Sequence, residues 1–92
     1  MAFGIYFDVK GMTSEKYHRV HEQLTDVGQS EPTGRSVHAG FEVDGEIKVF
    51  DVWDSMETFE AFGATLMPIL AENGIELAGP PEILEVHNII KR

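Results

Sequence analysis

The chain has 92 residues, sixteen Asp and Glu against seven Lys and Arg, four histidines, no cysteine and a formal charge of −9. That length gives one core and no second domain, and the charge repels phosphate backbones and anionic lipid, so neither nucleic acid nor a membrane surface is an expected partner. Without cysteine there are no disulfides, thiolate nucleophiles, iron–sulfur clusters or thiolate zinc sites.

Phe3, Ile5, Phe7 and Val9 alternate with Gly4, Tyr6, Asp8 and Lys10, which predicts a half-buried strand from Phe3 to Lys10. Met1 to Val9 has no basic n-region and Asp8 breaks its apolar run, which favours a cytoplasmic location. Thr13 or Ser14 can cap a helix whose apolar stripe is Tyr17, Val20, Leu24 and Val27, and Gly28 suits a left-handed stop. From Arg35 the period returns to two: Val37, Ala39, Phe41 and Val43 on one face, Ser36, His38, Gly40 and Glu42 on the other. Asp44-Gly45 is a strong type I′ hairpin signal. The strand that follows, Glu46 to Trp53, is apolar on both faces and so belongs inside a sheet.

Asp54 or Ser55 opens a second helix, with Glu57 placed for a capping-box arrangement with Asp54. Its stripe is Met56, Phe59, Phe62 or Gly63, Leu66, Ile69 and Leu70. Pro68 removes a hydrogen bond to the Ala64 carbonyl, which predicts a kink or restart. The longest weakly polar stretch, Phe62 to Ala71, is half of the roughly twenty residues a spanning helix needs. Ile75 to Pro81 is a connector, and Glu82 to Ile90 reads as a last strand.

The order strand, helix, strand, strand, helix, strand, with right-handed crossovers, predicts an α+β ferredoxin-like βαββαβ fold: a four-stranded antiparallel sheet with both helices on one face. The other face then lacks a cover, yet both parities of several strands carry bulky apolar groups. A homodimer, sheet on sheet, covers them most simply, and a long second helix wrapping round is the alternative.

The stretch Val49 to Ala61, VFDVWDSMETFEA, together with GRSVHAGF, FGATLMPILAENGI and the terminal EVHNII, resembles the dimeric α+β barrel superfamily, and within it small bacterial proteins related to antibiotic biosynthesis monooxygenases. The resemblance covers nearly the whole chain and implies a homodimer. The superfamily includes cofactor-free oxygenases, haem-degrading enzymes, muconolactone isomerase-like enzymes and members with no assigned reaction. In its cofactor-free oxygenases a pocket Trp and polar groups position a polyphenolic substrate, a role the resemblance would give Trp53.

The candidate site residues follow from alternation. His38, Asp51 and Trp53 occupy interior strand positions, Tyr6 and His87 neighbouring ones, and a face holding all five would form an apolar pocket with a few convergent polar groups. His38 or His87 is the candidate catalytic base, with a neighbour such as Asp51 setting the tautomer, and Tyr6, Asp51, Trp53 and Asn88 are the candidate ligand contacts. For His38 the alternative is a cross-strand polar partner, and for Trp53 plain core. His18-x-x-His21-Glu22 on the first helix does not converge on a metal, and neither His38 nor His87 alone defines a haem motif, so no metal and no cofactor are expected. The −9, doubled in a dimer, favours a neutral or hydrophobic small ligand over an acidic one. The readings are a dimeric small-ligand binder, a cofactor-independent monooxygenase, or a non-catalytic dimerisation module.

Overall fold

A computed structural model describes residues 2–90. Its main sheet is built from β1 (Phe3–Phe7), β3 (Arg35–Val43), β4 (Glu46–Trp53) and β6 (Glu82–Glu85), in the order β3-β4-β1-β6. All three pairings are antiparallel, and β4 lies between β1 and β3 as the crossover argument requires. Helices α1 (Ser14–Asp26) and α2 (Met56–Glu72) supply the apolar side chains that cover one face, called inner below.

Local chemistry sets the helix ends. Thr13 caps α1 by accepting the Lys16 N–H, and Gly28 stops it at φ +75°. Ser55 caps α2 by accepting the Thr58 N–H, in place of the Asp54–Glu57 arrangement expected from the spacing. Helix α2 runs through Pro68 in one piece, so of the kink or restart expected there the restart is absent. Pro68 and Ala64 are both on the exposed side, so water can satisfy the carbonyl the ring leaves unpaired.

Two predicted strands are shorter than their patterns. The first stops at Phe7, and Val9–Lys10 turns away as β2 to pair with β5 (Glu76–Leu77), inside the stretch predicted as a connector. Lys48 holds the chain at the break, since its Nζ donates to Val9 O at 2.6 Å and pairs with Asp8 Oδ1 at 2.9 Å. Strand β6 ends at Glu85 rather than Ile90, because there its ladder reaches the start of β1: Glu85 opposes Phe3, and Val86 N–H donates to Ala2 O.

The inner face of the sheet carries Ile5, Phe7, Val49, Asp51 and Trp53, packed against Val20 and Leu24 of α1 and Phe62, Ile69 and Leu70 of α2. Val27, expected on the stripe of α1, is 57% exposed because the helix has ended. The outer face carries Tyr6, Val37, Phe41, Phe50, Val52 and Leu84. With Phe41 at 41% and Leu84 at 50% exposure, α2 does not wrap round to cover it. No described helix is long and apolar enough to cross a membrane.

Candidate functional site

The polar groups of the inner face meet at one place. His38 and Asp51 are direct cross-strand partners, and His38 Nδ1 lies 2.6 Å from Asp51 Oδ1. From the first turns of α1, Tyr17 reaches across β3 so that its hydroxyl sits 2.7 Å from His38 Nε2. Gly40 leaves room for this reach, since a Cβ there would stand 3.0 Å from the Tyr17 hydroxyl oxygen and crowd it. The Asp51 side chain is 3% exposed and that of His38 20%. A nearly dry carboxylate that accepts Nδ1–H leaves the imidazole lone pair on Nε2, so Tyr17 is the donor to that atom. Burial, reinforced by the Asp51 carboxylate and opposed by Arg35, holds the Tyr17 phenol above its ordinary range, so it keeps its proton at neutral pH.

Arg35 joins them through an irregularity. A bulge between Arg35 and Val37 places Arg35 opposite Trp53 and Val37 opposite Val52, so Arg35 and His38, three residues apart, share the inner face. The Arg35 guanidinium donates to Ser30 O at 3.0 Å and lies 5.8 Å from the centre of the Phe62 ring. His21 completes the group, its ring 5.2 Å from that of His38 and 4.5 Å from that of Tyr17. Arg35, His21, His38 and Asp51 line a cavity of about 50 Å³ whose other walls are apolar, Phe7, Leu24 and Phe62 among them.

The expected five-residue face is therefore divided. Asp51, His38 and Trp53 lie on the inner face, but Tyr6 opposes Phe50 on the outer face and stacks on Phe41 at 6.4 Å. His87 and Asn88 are past the end of β6, where they line an open groove of about 610 Å³ along the outer face with Phe50, Val52 and Leu84. Strict alternation groups Tyr6 with Asp51 because it carries no register between strands, and the outer groove depends on where β6 ends. Trp53 is fully buried beside Phe59 and Phe62, at 5.7 and 5.2 Å between ring centres, and is not among the residues lining the inner cavity. Sequence reasoning misses Tyr17 and Arg35. For Arg35 a bulge hides in a regular sequence pattern, and for Tyr17 the only signal is an aromatic residue with a hydroxyl on an apolar stripe.

Comparisons with solved structures settle the architecture. A candidate antibiotic biosynthesis monooxygenase from Chloroflexus aurantiacus superposes with TM-score 0.64 at 18% identity, covering 97% of each chain. A similar candidate from Deinococcus radiodurans gives 0.60 at 13% identity, over 100% of this chain and 98% of that one. A variant of SnoaB, a cofactor-independent oxygenase from Streptomyces nogalater, gives 0.61 at 14% identity, over 99% and 96%. The chain has their fold. No protein-family model matches the sequence, and no curated protein matches it significantly.

The cluster carries a pH signature. Burial first, then the neighbouring His38, Arg35 and His18, hold His21 below the ordinary imidazole range, with Asp51 opposing. The unfolded chain therefore binds a proton at His21 more readily than the folded one, and stability falls as pH drops below about 6.5. A His21→Gln chain, compared by melting temperature at pH 7.5 and 5.5, is expected to lose less on acidification than the parent. An equal loss in both chains would refute the assignment.

Proposed function

We propose that the chain forms a homodimer through its outer sheet face, and that each subunit binds a small, largely apolar phenol or quinol on its inner face, where His38 removes the hydroxyl proton. The observation that carries this reading is the Asp51–His38 pair beside an apolar cavity. The carboxylate orients the imidazole and stabilises the imidazolium formed when Nε2 takes a proton, and the apolar walls keep water from competing for it. The ligand hydroxyl reaches Nε2 by taking the place of the Tyr17 hydroxyl, which holds that atom in the unliganded chain.

The anion so formed is the electron donor dioxygen requires, so the substrate supplies the reducing power. For a simple quinol the balance is one quinol and one O2 giving one hydroxyquinone and one water, with one oxygen atom entering the ring and the other leaving as water. The fold shared with a cofactor-independent oxygenase supports this reaction class. Oxygen uptake with hydroquinone as substrate, at one O2 per quinol and without hydrogen peroxide, is the test. A cavity of about 50 Å³ admits a ring only if Phe62, Leu66 or Met12 moves, and this favours the second reading, a dimerisation module with a filled interior. That reading is selected by absent uptake together with no ligand-induced shifts in the NMR spectrum.

The outer face supports the dimer in either case. Exposed Phe41, Val43 and Leu84 beside half-buried Phe50 and Tyr6 form an apolar surface of the kind that a stable interface covers. Light scattering is expected to give the mass of two chains, and Leu84→Lys that of one with unchanged circular dichroism. A parent monomer at tens of micromolar would end the proposal.

A further inference from the structure

The interior cavity has a mouth. On the solvent side of Arg35 and His38 a second cavity of about 180 Å³ is lined by Glu31, Arg35, Ser36, Val37 and His38. The two cavities have Arg35 and His38 in common among their lining residues, so they adjoin at these two residues. The backbone beneath is fixed. Gly34 stands at φ +90° with Thr58 where a Cβ would be, and the Asp54 N–H donates to Gly34 O at 2.7 Å, tying the start of β3 to the start of α2. The side chain is held more lightly, by one carbonyl and one aromatic face, and a guanidinium has five donors.

From this arrangement we infer that Arg35 is an anion-recognition residue at the mouth of the inner cleft, and that the ligand class is a single-ring aromatic acid or other molecule with an ionised oxygen, its oxygen on Arg35 and its apolar body directed past His38 into the interior. The inference deepens the proposed function, on which it rests, by naming the group that receives the negative oxygen His38 would create. It also reverses a simple expectation from net charge. A chain at −9 repels acids overall, but a guanidinium in a partly dry cleft acts at contact distance, where screening and the distant carboxylates count least. Among the described residues Arg35 and the two imidazoles are the basic groups lining either cavity, and the opposing charges are Glu31, exposed on the rim, and Asp51, which is bonded to His38 inside.

Benzoate and benzyl alcohol, which share a ring and differ in charge, are the probes, with dissociation constants taken from NMR titration at low salt. The parent is expected to bind benzoate about tenfold more tightly than benzyl alcohol, the size of one hydrogen bond to a charged group. Arg35→Gln should bring the ratio to about one, Arg35→Lys should keep part of it, and Glu31→Gln should tighten benzoate several-fold. Circular dichroism and an unchanged benzyl alcohol constant show that Arg35→Gln still folds and keeps its cleft. A parent ratio near one, or one that survives Arg35→Gln, overturns the inference, and failure of both probes to bind removes the cleft with it. Arg35-dependent selectivity without quinol turnover leaves the inference standing and removes the proton-transfer reading, so the two fail separately.

Discussion

A Trp53→Ala chain is expected to lose about 3–5 kcal/mol of stability, the range for truncating a large buried aromatic side chain. Trp53 has no exposed surface, lies at the end of β4 opposite both Phe3 and Arg35, and fills the space between the sheet and Phe59 and Phe62 of α2. Domains of this kind hold only about 5–15 kcal/mol in total, so the alanine chain would stand close to unfolding at room temperature. Trp53→Phe separates packing from polarity. Its ring keeps much of the contact with α2, and it removes the indole Nε1–H, which is buried and has no hydrogen-bond partner among the described residues. Phenylalanine is therefore expected to cost less than half as much as alanine. Trp53 is the single tryptophan, so urea denaturation of both variants must be followed by circular dichroism. An alanine chain within about 1 kcal/mol of the parent would mean that the ring is not the centre of the core.

The second large effect concerns the dyad. His38→Gln and Asp51→Asn should each lower quinol-dependent oxygen uptake by about 10²–10⁴-fold, the usual contribution of a positioned general base. The two act as a unit, so the double variant should be little worse than either single one. Asn at position 51 keeps the shape but gives up the charge that stabilises the imidazolium, and its amide can present a donor to Nδ1 and turn the imidazole to the wrong tautomer. Tyr17→Phe discriminates further. It frees Nε2 without removing the base, so uptake should be retained or raised. His87→Ala, on the opposite side of the sheet, should leave uptake unchanged, and a loss there with none at His38 would move the site to the outer groove.

Part of the site is legible in the amino-acid sequence. Alternation and the Asp44-Gly45 turn place His38 beside Asp51 and Trp53 of the interior strand β4, although β3, which carries His38, is an edge strand of the sheet, and the two turn residues adopt φ +51° and +84° as that hairpin demands. The turn fixes the register of β3 on β4, and that register makes His38 and Asp51 neighbours. Tyr6 falls on the other face because its partners come from strands far away in sequence, and no local signal says which parity of β1 faces the helices. Tyr17 and Arg35 are hidden because each depends on a detail of the meeting surfaces: a glycine at position 40 that lets a tyrosine cross the strand, and a bulge that turns an arginine inward.

The sequence by itself determined the number and order of the main elements, the Thr13 cap, the hairpin and most of the apolar stripe of each helix, since each is set by interactions within a few residues. Tertiary structure decided the rest. Where β1 and β6 end depends on Lys48 and on the length of the opposing strand, and which side chains share a cavity depends on register and on which face the helices cover. The net charge of −9 set the expectation about broad partner classes, because long-range repulsion is a property of composition. It gave no account of the mouth of the cleft, where the role proposed for Arg35 rests on contact distance rather than on the summed charge of the surface.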